Sequence, residues 1–268
     1  MIVLPNPPKI INRKENWARF EIEGLYPGYG LTVGNSLRRV LLSSLQGAAV
    51  TQVKIKGVQH EFSTIPGVYE DVITIMMNLK QMRFKMHSEE PQKAELKISG
   101  EKEVKGSDFK FPSQAQLVNG SCHIVALTDK KAELEMEIQI EKGIGYETVE
   151  KRKKEGRLEI GALPVDAIFT PITRVSYKVE NMRVGKRTDF DRLFLDIETD
   201  GTITPEQAFS SASDILVEHF SLIAGEFKPK DEKKEQIVKE DVPAGEKEKE
   251  EDGAKTEKKG KKNKKSLK

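Results

Sequence analysis

Residues 17 to 25 alternate apolar and polar positions, with Ala18, Phe20 and Ile22 on one side and Arg19, Glu21 and Glu23 on the other. A period of two predicts a strand with one buried and one wet face. Gly24 and the Pro27, Gly28 pair end it. The period then changes. In GYGLTVGNSLRRVLLSSLQG, Leu37, Val40, Leu41 and Leu45 recur at helical spacing, Thr32 or Asn35 is placed to cap the start, and Gly47 to stop the end. A second alternating run at 50 to 56 carries Val53 and Ile55. The loop GVQHEFSTIPG then leads to a predicted helix over Tyr69 to Lys80. Its expected core face is Val72, Ile73, Met76 and Leu79. Glu70 and Asp71 fall in the first turn and Lys80 in the last, as the helix dipole favours.

From Met82 to Ile140 the pattern reads as short strands. In the clearest, Leu134, Met136, Ile138 and Ile140 oppose Glu133, Glu135, Glu137 and Gln139. VEKRKKEGR, at 149 to 157, predicts an exposed loop. Val175, Tyr177, Val179 and then Leu193, Leu195, Ile197 predict two strands able to pair antiparallel. A last helix starts with Thr204 at the cap, Pro205 at the first helical position and Gln207 completing a capping box. Its stripe is Ala208, Ala212, Ile215, Leu216, His219, Phe220 and Ile223. Leaving the stripes of the first and last helices exposed would forfeit on the order of 10 kcal/mol. Joining the two ends of the chain covers both. The expected fold is therefore α+β: a discontinuous domain of residues 1–46 and 172–228, an antiparallel sheet with helices, carrying an inserted β-rich domain at 47–171.

Composition changes this picture at one end. Residues 229–268 hold 14 Lys and 11 Asp or Glu with no aromatic residue, a segment too polar to offset its ordering entropy, and a disordered tail is expected. Removing it from the totals of 45 basic and 43 acidic residues leaves 31 and 32. The nearly neutral body argues against bulk electrostatic binding of nucleic acid. The single Cys122 forms no internal disulfide and there is no CxxC pair, which fits a reducing cytoplasm. Pro5, Pro7 and Pro8 interrupt what a signal peptide needs, and no run approaches the ~18 apolar residues of a membrane span. A soluble intracellular protein is expected.

Candidate chemistry is sparse. Gly28, Gly30 and Gly34 invite a phosphate-loop reading, but the spacing is not GxGxxG and no GK[ST] follows, so a turn feeding a helix explains them. His60, His87, His123 and His219 stand far apart without metal-ligand spacing, and no nucleophile motif is present. No catalytic residue, metal or cofactor is assigned. Arg38 and Arg39 sit mid-helix beside an apolar stripe, where a solvated face and a protein interface are both open readings.

Residues 28–80, from GYGLTVGNSLRRVLLSSLQG to MMNLK, closely resemble the N-terminal domain of bacterial RNA polymerase α subunits, as do CHIVALTD at 122–129 and VDAIFTPITRVSYKVENMRVGKRTDFDRLFLDIETDGTITPEQAF at 165–209. The resemblance covers roughly residues 5 to 227. It implies a homodimer whose helices pack across a two-fold axis, through Leu37, Val40, Leu41, Leu45, Ile215, Leu216, Phe220 and Ile223. It implies that one protomer holds the β subunit, through Arg39 with Arg38, His60, Glu61, Ser63 and Lys80 beside it. The other would hold β′, through Val165, Asp166, Ala167, Arg183 and Arg187. Nucleotidyl transfer would belong to the large subunits, with ω and sigma joining in the holoenzyme. Typical members continue into a small helical domain that binds DNA, whereas here the charged tail follows Phe227. DNA contact is expected only through the complex, or weakly through the tail. The rival readings are a free-standing homodimer that binds nucleic acid through its basic tail, and a small enzyme with an unrecognised site.

Overall fold

The computed structural model describes residues 2–155 and 161–226, excepting the side chains of Lys154, Glu155 and Glu226. The tail at 229–268 lies outside the described residues. In chain order the elements are β1 (Lys9–Arg13), β2 (Trp17–Leu25), α1 (Tyr29–Ser43), β3 (Gln46–Ile55), α2 (Val72–Leu79), β4 (Phe84–Met86), β5 (Gln92–Ser99), β6 (Lys102–Lys105), β7 (Ala115–Leu117), β8 (His123–Leu127), β9 (Glu133–Ile144), β10 (Tyr146–Glu147), α3 (Val149–Glu155), β11 (Leu163–Pro164), β12 (Ala167–Ile168), β13 (Ile172–Val184), β14 (Arg187–Thr199) and α4 (Pro205–Glu226). By contacts the chain divides into Met1–Ser221 and Leu222–Lys268. The architecture that follows is that of the first unit.

Strands from the two ends of the chain interleave in one antiparallel sheet, ordered β1-β2-β14-β13. The predicted pairing of the late strands is present in register, Val175 opposite Ile197, Tyr177 opposite Leu195 and Val179 opposite Leu193. On one face Ala18, Phe20, Val175, Leu195 and Ile197 pack with Leu37, Leu41 and Leu45 and with Ala208 and Ala212 of α4. The opposite face is an ion-pair ladder, with Arg19 on Asp196 at 2.7 Å and Arg192 on Glu23 at 2.9 Å. The middle of the chain builds a second antiparallel sheet, β5-β9-β3-β4-β7, with β11 added to β3. Its core gathers Val53, Ile55, Ile75, Leu79, Leu96, Leu134, Ile138 and Ile140. The α+β arrangement with a β-rich insertion is as the alternation implied.

Helix α1 departs from expectation at both ends. Its N-cap is Gly28, at φ 86°, without a side-chain cap of its own. Thr32 and Asn35 lie within the helix. The cap comes from far along the chain: the buried Asp191 carboxylate accepts the N–H of Gly28 at 2.9 Å and of Gly30 at 3.0 Å. A negative charge there meets both the free amides and the positive end of the helix dipole. Gly47 does not stop the helix; it lies in β3, against the Phe169 carbonyl, where a side chain would collide. Gly30 and Gly34 are packing positions as well. A Cβ at Gly30 would stand 2.7 Å from Val179, and one at Gly34 would stand 2.8 Å from Leu193 and 2.9 Å from Tyr177. The i, i+4 pair lets α1 lie directly on β13 and β14.

Helix α2 is shorter than expected, and Asp71 is its N-cap, accepting the Thr74 N–H at 2.8 Å. Hydrogen bonds from the Thr74 side chain and, after it, the Thr74 N–H hold the Asp71 carboxyl below its ordinary pKa. Val72, Ile75 and Leu79 are buried, whereas Ile73 points to solvent. Helix α4 begins as predicted, the Gln207 N–H donating to Thr204 Oγ1 and the Thr204 N–H to Gln207 Oε1, both at 3.2 Å.

Of the charged run expected as an exposed loop, Val149–Glu155 is instead helix α3, residues 156 and 157 lying outside the described residues, and Arg152 is only 2% exposed. Its Nη2 lies 2.9 Å from Glu147 and 3.5 Å from Glu141, and its guanidinium sits 5.8 Å from the centre of the Phe169 ring. Two carboxylates and an aromatic face compensate one buried cation.

Candidate subunit-binding surfaces

Leu37, Leu41 and Leu45 are buried within the protomer core, so they are already covered before a second molecule arrives. Expected at a dimer contact, they belong to the protomer's own core. Val40 is half-buried against the same core. Farther along α4 the burial stops. Ile215 and Leu216 are half-buried, while Val217 and Phe220 are about 60% exposed. In the second unit, Leu222 and Ile223 on the last turn of α4 are exposed too. Leu216 and Phe220 form one wall of an open groove of about 520 Å³ between α1, α4 and the N-terminal segment, with Pro5, Ile22, Leu25, Val33, Leu37 and Phe209 around it. Monomeric soluble proteins rarely leave such a contiguous apolar surface to water.

Arg38 and Arg39 are both exposed on α1, and neither guanidinium has an ion-pair or hydrogen-bond partner among the described residues. Unspent charge at the edge of an apolar surface is what an interface uses. The loop before α2 places His60 and Glu61 in solvent and Ser63 half-buried, with Ser63 Oγ 3.2 Å from His60 Nδ1. Pattern reading passed over the apolar residues here. Phe62 is 74% exposed, Tyr69 81% and Met77 61%; Ile73 and Met77, four residues apart, lie on the free side of α2, and Tyr69 stands just before the helix. The signal was present, because α2 is apolar almost all round. Periodicity alone could not choose which side is buried.

Lys80, grouped by expectation with the first surface, bonds to a residue of the second: its Nζ lies 3.3 Å from Asp166 Oδ2. The two expected surfaces therefore meet at this ion pair. Partial burial pushes the Asp166 carboxyl up, but the Val149 N–H, Lys80 and the Tyr146 hydroxyl together hold it below its ordinary pKa. Val165 and Ala167, expected beside it at the surface, turn inward and are fully buried. The exposed apolar residues around Asp166 are Tyr146 and Ile168, paired across β10 and β12, with Ile144 nearby in sequence on β9.

Arg183 and Arg187 lie on the hairpin joining β13 to β14. Arg183 Nε donates to the Gly185 carbonyl at 2.9 Å. Arg187 forms a bidentate pair with Asp189, at 3.0 and 2.7 Å, and stacks 5.5 Å from Tyr26 and 5.2 Å from Phe190. Its charge is partly spent, unlike those of Arg38 and Arg39.

No three His, Cys, Asp or Glu side chains converge to hold a metal ion, and no helix is long and apolar enough to cross a membrane, among the described residues.

Comparison with known proteins gives these surfaces a context. Residues 53–170 match the family model described as the RNA polymerase Rpb3/RpoA insert domain. The chain is 48% identical over 211 residues to the DNA-directed RNA polymerase subunit alpha of Moorella thermoacetica, covering 79% of this chain and 67% of that protein. It is 46% identical over 222 residues to that of Oceanobacillus iheyensis, covering 81% and 70%. It is 46% identical over 232 residues to that of Symbiobacterium thermophilum, covering 87% and 73%. The match thus spans about two thirds to three quarters of the length of these relatives. Identity at this level over about four fifths of the chain makes it a member of the DNA-directed RNA polymerase α subunit family.

Proposed function

We propose that this chain is a homodimeric, non-catalytic scaffold on which the large β and β′ subunits of RNA polymerase assemble. The apolar groove walled by Leu216 and Phe220 carries this reading, because its exposed side chains find cover most simply in a second copy. Leu37 and Leu41 form the core beneath the contact, and Leu216, Val217 and Phe220 form the contact itself. One protomer presents Arg38 and Arg39 with Phe62, Tyr69, Ile73 and Met77 to β. The other presents the patch around Asp166, Lys80, Tyr146 and Ile168, with the Arg183 and Arg187 hairpin, to β′. Because Lys80 joins Asp166, we place it with the second surface, and the adjacency of the two surfaces limits each protomer to one large neighbour. Nucleotidyl transfer is then the work of the large subunits, and the assembled enzyme is cytoplasmic, with ω and sigma completing it.

Arg39→Ala tests the assignment. The residue is exposed and unpaired, so dimerisation and melting temperature are expected to be unchanged, while the affinity for β falls by roughly 30-fold or more, the effect of removing an interfacial cation worth on the order of 2 kcal/mol or more. Size-exclusion chromatography with β pull-down reads both properties. Unimpaired capture of β by the variant refutes the role of Arg39.

A further inference from the structure

The segment that carries Tyr69 is tied down by one ionisable cluster. Gly67 to Glu70 lies along β8, the Thr128 N–H donating to the Gly67 carbonyl and the Tyr69 N–H to the Ala126 carbonyl, both at 2.9 Å. Val68 bridges Leu127. Next to these, the Ala126 N–H donates to Glu70 Oε2 at 2.7 Å. The other oxygen of Glu70 stands 2.7 Å from His123 Nε2, and the second ring nitrogen, Nδ1, is 3.2 Å from Glu103 Oε1 on β6. Ionised carboxylates only accept hydrogen bonds, so an imidazole that bonds to one on each side must carry both protons. The Glu70 side chain is only 10% exposed, which makes its charge expensive to leave unmatched.

We propose that protonated His123 is a positioning residue, a proton-dependent latch that acts through Glu70 to hold Tyr69 and the start of α2 in the geometry offered to the partner. This rests on the reading of that face as the β contact. The linkage is direct in the chain: Glu70 adjoins Asp71, which caps α2, and Tyr69, which is exposed. Of the other titratable groups on the adjoining chain, Lys105 is its ladder partner on β6, Asp71 next to Glu70 is occupied in capping α2, and the half-buried Cys122 precedes it in sequence. The hydrogen bond to Glu70 is the main cause that raises the His123 pKa above its ordinary value of 6.5, with Glu103 adding to it against partial desolvation. A raised folded-state value means that the latch is fully present below about 6.5 and is lost as pH rises through the folded value.

The test uses the full-length protein between pH 6 and 9. Imidazole NMR resonances report the His123 titration, and protection factors of the Ala126 and Tyr69 amides report the docking of the segment. The expected result is a His123 midpoint above 6.5, a single-proton loss of protection at that midpoint, and a fall in affinity for purified β of roughly 3- to 10-fold over the same interval. Glu103→Gln should move the midpoint down while keeping the step. His123→Gln should remove the step and leave protection low at every pH. A midpoint at or below 6.5, or protection and β affinity that stay flat through the titration, overturns the latch. If β fails to bind at any pH while protection still follows His123, the assembly reading fails and the latch within the chain stands.

Discussion

Replacing Phe220 with aspartate is expected to turn the proposed homodimer into monomers at micromolar concentration. Phe220 is largely exposed in the protomer, so the substitution removes little that holds a single chain together. In a two-fold contact each change is made twice. Losing the burial of one aromatic costs roughly 2 kcal/mol per copy, about 4 for the pair, or about three decades in Kd before the charge is counted. A carboxylate facing an apolar wall adds its own desolvation cost. Light scattering coupled to size exclusion would read the mass, and an unchanged far-UV circular dichroism spectrum would show that the protomer is intact. A variant that remains dimeric at low micromolar concentration would place the contact elsewhere.

The second large effect concerns Arg152. Its substitution by alanine leaves Glu141 and Glu147 without their shared cation and opens space above Phe169. Breaking a buried ion pair from one side costs about 3 to 5 kcal/mol, and the partial exposure of both glutamates puts this case near the lower figure. For a folded body of this size that is a Tm loss on the order of 6–12 °C. The effect reaches the proposed β′ surface as well. Helix α3 starts at Val149, whose N–H donates to Asp166 at 3.0 Å, so loosening α3 releases the carboxylate that Lys80 pairs with. Binding of β′ should weaken while binding of β is retained. Arg152→Met keeps the stem over Phe169 and should recover part of the stability but none of the charge balance. Thermal melting within about 2 °C of the parent for the alanine variant would contradict this account.

Much of the fold could be read from the chain because its strands alternate cleanly. Trp17–Leu25, Glu133–Ile144 and the β13–β14 pair each bury one face, and period two then fixes both element and orientation. The capping box at Thr204 and Gln207 was equally legible, since all its partners lie within four residues. What pattern could not supply came from distant partners. Asp191 caps a helix that begins more than 160 residues earlier, so local inspection turned to Thr32 and Asn35. Arg152 sits in a run of charges that reads as solvated, and only Glu141, Glu147 and Phe169, brought together by folding, make its burial tolerable. The candidate surfaces divided in the same way. Arg38 and Arg39 are exposed on α1 and have no partner among the described residues. Val165 and Ala167 flank Asp166 in sequence, but both are fully buried and Asp166 between them is half-buried. Lys80 and Asp166, 86 residues apart, join surfaces that sequence reading kept separate.

The central claim is that two copies cover one another's α4 grooves and leave other faces free for much larger subunits. Sedimentation equilibrium of the purified chain, alone and with β added, measures it most directly. The account predicts twice the chain mass at micromolar concentration and, with β, a complex of two copies to one. A single-chain mass at every concentration, with no gain when β is added, would contradict it.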